Sequence, residues 1–186
     1  MDPFQPNQGP KPNDSKTLNE WPLMNSATVL QQLVHGTPSE RAEAAENLAH
    51  QGPDAAYAVS ALLAACEDTE SVSTWAVAAL EELGPPPLSA ITALGDLAQS
   101  DKPLTAYWAV TLLGRAGRQA ADCQEILAIL LMGTSELALR EKAAWALGRM
   151  KADSRKAKIA LQVAARSPEK RLSRMGSEAL KQIEKR

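Results

Sequence analysis

The chain is short of the side chains that most chemistry requires. It has two histidines, two cysteines and seven aromatic residues (four Trp, two Tyr, one Phe) among 186. His35 stands before a glycine and His50 before a glutamine. No cysteine and histidine share a ligand-like or nucleophile–base spacing, and no glycine-rich loop is built to cradle phosphate. The expectation is a chain with no catalytic residue, no metal and no cofactor. Long apolar runs are missing too. None reaches the roughly 18–20 residues that a bilayer-spanning helix needs. The N-terminus has no basic-plus-apolar signal segment, so the expected setting is the cytoplasm, with no membrane partner. Nor does any stretch alternate apolar and polar residues as a half-buried strand does, which excludes a β-rich fold.

What the chain does have is alanine, leucine and a period. Leu48, Leu80, Leu113, Leu147 and Leu180 each close an alanine-rich stretch, at steps of 32, 33, 34 and 33 residues. About ten residues beyond each of the first four stretches comes a second apolar knot, at Leu62, Leu94, Leu127 and Leu161. Two helices per period are therefore expected, a first helix A and a second helix B. Repeats of this length that cannot bury a face alone stack on their neighbours. The fold class predicted is all-α, a right-handed α-solenoid (α–α superhelix) of about five helical hairpins. The units run over about 26–51, 53–83, 85–117, 119–150 and 152–184. The B helices are predicted at 38–51, 70–83, 103–116, 136–150 and 168–184. Pro38, Pro53, Pro86 and Pro168 sit at first-turn positions, where a missing amide costs nothing. Ser39, Thr69, Asp101, Ser135 and Ser167 are the candidate caps for the B helices.

Residues 1–24 differ in composition, with five prolines at positions 3, 6, 10, 12 and 22. They have too little apolar surface to offset ordering and read as a disordered tail before a repeat domain over 25–186. Trp21, Leu23 and Met24 are its apolar exception. They either cover the open end of the first unit or form a short docking motif. Cys66 and Cys123 fall on A helices in different registers, two units apart, which argues against a disulfide or metal site.

The B stretches carry a recognisable pattern. The fullest version is Leu139, Arg140, Glu141, Lys142, Ala143, Ala144, Trp145, Ala146, Leu147, Gly148, Arg149. The third unit repeats it from Tyr107-Trp108-Ala109-Val110 to Leu112-Leu113-Gly114-Arg115, and the second has Val72, Trp75-Ala76-Val77 and Leu80. This resembles the HEAT-repeat family, in particular the short bacterial repeats grouped with phycobilisome lyases, over about 26–184. The resemblance implies an armadillo/HEAT-like fold that serves as scaffold, adaptor, regulator or lyase subunit. For a tetrapyrrole lyase subunit, Cys66 and Cys123 are the residues to examine. The His-Glu dyad of HEAT-type di-iron hydroxylases is missing. The pattern's arginine is Arg41 and Arg140 in two units, but Ser73, Ala106 and Ser173 in the others.

At roughly 100° per residue, Val72, Ala76, Ala79, Leu80 and Leu83 share the arc of helix B that faces the core. The opposite arc gathers three registers: Glu43, Trp75, Trp108, Lys142 and Met175; Glu46, Ala78, Thr111, Trp145 and Glu178; His50, Glu82, Arg115, Arg149 and Gln182. Large rings with a polar handle, and arginine, dominate contact energy between proteins. The expected partner-binding surface is a concave B-helix track of Trp75, Tyr107, Trp108 and Trp145 flanked by Arg115, Lys142 and Arg149, and its expected ligand is a protein or peptide. The alternative for Trp75 and Trp108 is that they fill gaps between successive B helices. Arg115 and Arg149 also suit helix C-termini, where positive charge is favoured.

A net charge of −2 hides a split: residues 140–186 hold 14 of the 20 Lys/Arg and 5 of the 22 Asp/Glu. Arg155, Lys158 and Arg166 form one basic stripe, and Lys170, Arg174, Lys181 and Lys185 a second. These read either as the solvated cap of the last layer or as a contact for nucleic acid or an acidic protein. No aromatic residue interleaves them, which argues against stacking on single-stranded bases.

Overall fold

The computed structural model describes residues 25–133 and 136–185. The tail, the Trp21–Met24 motif and the cap at Ser135 lie outside them. All regular structure among the described residues is helical. The B helices are α2 (Pro38–Gln51), α4 (Glu70–Glu82), α6 (Pro103–Ala116), α8 (Leu137–Met150) and α10 (Lys170–Glu184); the A helices are α1 (Ser26–His35), α3 (Val59–Ala65), α5 (Ile91–Leu97), α7 (Gln124–Gly133) and α9 (Arg155–Ala165).

The B helices begin and end within two residues of the predicted ranges. Three of the A helices open as 3-10 turns: Gly52–Ala58 before α3, Leu88–Ala90 before α5 and Gly117–Cys123 before α7. Gly52 and Gly117 turn the chain at φ of 56° and 58°, which glycine adopts without a Cβ clash. The tighter helix then brings residues three apart onto one face. Ala55 and Ala58 are the buried pair that uses this spacing; the Gly117–Cys123 segment is kinked at Ala120, and Ala120 and Cys123 are both buried.

The chain divides between Glu82 and Leu83 into two compact units. The spacing predicts one array over 25–186. Immediately after the division Gly84 is followed by Pro85, Pro86 and Pro87, which lack amide donors and hold the backbone out of a helix. In unit 1, α2 packs on α4 and α1 on α3. In unit 2, α6, α8 and α10 stack in sequence, as do α7 and α9. Leu48, Leu80, Leu113 and Leu147 are sealed in these layers. Each contributes about 1.5–3 kcal/mol by leaving water. Leu180 is only half-buried; no described layer follows α10.

The ends of the A helices explain the register in which arginine alternates with serine. The last carbonyls of a helix have no partner within it. Arg41 Nη1 donates to the Gly36 carbonyl at 2.9 Å, Ser73 Oγ to Cys66 at 2.6 Å, Arg140 Nε to Leu131 at 3.1 Å and Ser173 Oγ to Ala165 at 2.7 Å. Serine and arginine thus do one job by different reaches, and Ala106 is the exception. Arg41 also grips Asp68 through two bonds, of 2.7 and 2.8 Å. The cap of α2 is Thr37 rather than Ser39. Thr37 forms a reciprocal capping box with Glu40, and Ser39 already lies inside the helix.

Candidate partner-binding surface

In unit 2, α6 and α8 lie side by side and bring together most of the residues that the pattern singles out. Lys142 Nζ on α8 sits 4.8 Å from the Tyr107 ring centre and 5.1 Å from that of Trp145. Both distances fall within the roughly 6 Å over which a ring face attracts a cation. The Tyr107 ring meets Trp108 edge-on at 5.9 Å and 87°. The Arg115 guanidinium lies 5.8 Å from the Trp108 ring centre and donates to the Leu83 carbonyl. Rings and cations therefore form one chain of contacts across the two helices, from Trp145 through Lys142, Tyr107 and Trp108 to Arg115.

Gly114 makes room for this arrangement. A Cβ there would fall 2.2 Å from an atom of the Trp145 ring, so the indole lies against bare backbone of the neighbouring helix. A glycine inside a helix, with no turn to make, was the sequence signal for this approach. Trp145 is half-buried as a result. Glu141 is a second residue that pattern reasoning missed. It is 9% exposed and pairs with Arg171 Nε at 3.1 Å.

Trp108 departs from the expected track. It is 6% exposed and Thr111 5% exposed, so neither offers a free surface. Its register lies about 40° beyond the core arc at 100° per residue. Ten of the fourteen residues of α6 are buried, because α5 and α8 pack against α6 and cover flanks that a single-helix projection leaves open. Thr111 uses its hydroxyl on the Tyr107 carbonyl at 2.8 Å. Trp75 belongs to unit 1, where it is half-buried with its ring centre 6.1 Å from His50. Arg115 serves a carbonyl as well as the Trp108 ring. Arg149, in the last turn of α8, is exposed.

The basic stripes are solvated. Arg155, Lys158, Arg166, Lys170, Arg174, Lys181 and Lys185 are all exposed. Arg174 lies 3.9 Å from Glu178, and Lys185 lends its carbonyl to Lys151 Nζ at 3.0 Å. Cys66 and Cys123 are buried and unbridged. Burial, aided by the negative charge of Glu67, pushes the Cys66 thiol up to about 12, and burial raises Cys123 too. Both stay protonated at neutral pH, which removes the nucleophile that thiol chemistry needs. Among the described residues no cluster of His, Cys, Asp and Glu is placed to hold a metal ion, and no helix is long and apolar enough to cross a membrane.

No family model matches the sequence, and no curated protein matches it. Solved structures are similar in fold. A chain in the complex of CpcE and CpcF of phycocyanin lyase from Nostoc sp. PCC7120 superposes with a TM-score of 0.62 at 21% identity, covering 94% of this chain and 70% of that one. A designed armadillo repeat protein in complex with the peptide (KR)4 gives 0.61 at 15% identity, covering 83% and 80%. An engineered protein from a structural genomics consortium gives 0.58 at 21% identity, covering 86% and 80%. The fold is thus an all-α repeat fold of the armadillo-like, α-solenoid class.

Proposed function

We propose that the chain is a non-catalytic interaction module, acting in the cytoplasm, that binds a protein or peptide on the B-helix face of unit 2. The observation that carries this is the half-buried cluster of Tyr107, Lys142 and Trp145 with the exposed Arg149 beside it. Rigid rings held by a neighbouring helix give contact area at little entropic cost. Two of the similar structures are complexes, one between CpcE and CpcF and one between a designed repeat protein and (KR)4. That supports a binding role for this fold and leaves the partner of this chain open.

The test is affinity capture from the native host with wild-type chain and with a Tyr107→Ala/Trp145→Ala variant, each checked for a cooperative melt. Arg149→Glu, at an exposed site, serves as the variant least able to disturb folding. A partner retained by wild type should fall by about tenfold or more, the worth of about one good contact. Retention unchanged in all variants defeats the reading.

A second reading rests on the similarity to the phycocyanin lyase complex, which spans 94% of this chain. In it the chain is an accessory subunit of a tetrapyrrole lyase. Since Cys66 and Cys123 are buried and protonated, such a subunit would position a partner rather than attach a bilin itself. A shift in bilin absorbance on mixing, retained in a Cys66→Ser/Cys123→Ser variant, is the expected sign.

A further inference from the structure

Lys142 carries its charge without a counter-anion. Its ammonium contacts are two rings, and among the described residues no carboxylate stands within ion-pair reach of it. The adjacent carboxylate, Glu141, is committed to Arg171. Seven residues on, Arg149 is exposed at the same face of α8, likewise without an acidic partner among the described residues. At 100° per residue, positions 142, 145 and 149 fall within about 60° of one another, and seven residues rise roughly 10 Å. This strip of α8 therefore reads cation, indole, cation, with Lys142 and Trp145 half-buried and Arg149 exposed. Residues 83–186 hold 17 Lys and Arg against 10 Asp and Glu, so the surrounding field attracts anions before contact is made.

We propose that this strip receives an acidic peptide segment. Two carboxylates about 10 Å apart meet Lys142 and Arg149, and an apolar or aromatic side chain between them lies on Trp145. In an extended, polyproline-like segment that separation is three residues, at about 3.1 Å each. The ring pair holds the Lys142 ammonium in place before a ligand arrives, so little side-chain freedom is lost on binding. The proposal rests on the B-helix face of unit 2 being the contact surface, and it adds the charge and spacing of the ligand.

The experiment selects a random dodecapeptide display library on the full chain at low salt. The leading peptides are then measured against wild type, Lys142→Met and Arg149→Gln. Methionine keeps an unbranched stem between the rings while removing the charge, and Arg149 is exposed, so both variants should fold. The expected result is enrichment of Asp and Glu three residues apart around an apolar residue. Affinity should fall about tenfold in each variant and weaken with added salt, as for charge-assisted contacts. Acidic peptides indifferent to both substitutions overturn the strip. Neutral or basic peptides that are lost on Tyr107→Ala leave the binding face standing and overturn its acidic ligand. Selected peptides insensitive to every variant overturn both. An oligothymidylate that displaces the peptides and binds more tightly through Lys142 and Arg149 assigns the strip to nucleic acid and overturns the peptide.

Discussion

Residues 25–82 hold nine Asp and Glu against one arginine, whereas residues 83–186 hold ten against seventeen Lys and Arg. Yet the two units are built on one register. Leu48 and Leu147 are equally sealed, and Arg41 and Arg140 each close the end of an A helix. The difference lies in the positions that face away from the core. Where unit 1 has Glu43 and Glu46, unit 2 has Lys142 and Trp145. Layer packing fixes the leucines, alanines and capping donors, and leaves these outer registers free to take either sign. A binding site in such a fold is read from the outer registers and not from the repeat.

The comparison can be broken at four points. The largest expected effect concerns the thiols. In the native chain at pH 8, Cys66 in unit 1 and Cys123 in unit 2 should both react with a thiol reagent far more slowly than in urea, Cys66 the more slowly of the two, because burial suppresses both access and thiolate. Rapid labelling of the folded chain would mean that these layers open.

Next is the position that holds Ala49 in unit 1 and Gly114 in unit 2. Gly114→Ala places a methyl in the Trp145 ring and should cost about 1–3 kcal/mol by overpacking. Ala49→Gly should cost about 1 kcal/mol, from helix propensity alone. Urea titration separates them, and a neutral Gly114→Ala would remove the indole from that backbone.

Charge reversal at one shared register follows. Lys142→Glu should weaken partner binding by about tenfold or more, while Glu43→Lys should leave it unchanged in a pull-down. Equal effects would spread the contact over both units.

The smallest effect is an acid sensitivity confined to unit 1. The hydrogen bonds from Arg41 hold the Asp68 carboxyl below its ordinary value. The stabilisation from this pair is complete above the ordinary carboxylate pKa and is lost as pH falls through the lowered one. Arg41→Ala should flatten that part of the acid unfolding curve. Arg140→Ala should not, since Arg140 donates to a carbonyl that does not titrate in this range.

Much of the fold was legible because its signals are local. The recurrence of Leu and Ala at a fixed period places α2 and α6, and Pro38 marks the first turn of α2. The 3-10 openings were not legible, since Gly52 and Gly117 read equally well as simple helix stops; the spacing of three in Ala55 with Ala58 becomes a signal only once the turn is tight. Gly84 with three prolines was visible, but Pro86 reads as a helix start, whereas the helical structure begins at Leu88. At the site, residue types pointed to Tyr107, Lys142 and Trp145. What one helix could not disclose is what its neighbour covers. Trp108 and Thr111 are buried, and Trp145 leans on Gly114 of α6. Those outcomes depend on pairs of helices, whereas a helical projection treats one at a time.

The central claim, that the α6–α8 face of unit 2 is where a partner sits, is tested most directly by the indole amide signals of Trp145 and Trp75 in a nitrogen-15 spectrum, recorded as a library-selected peptide is titrated to saturation. The expected result is that Trp145 shifts or broadens in step with binding and Trp75 holds its position. A peptide that saturates the chain while the Trp145 signal stays unmoved would contradict it.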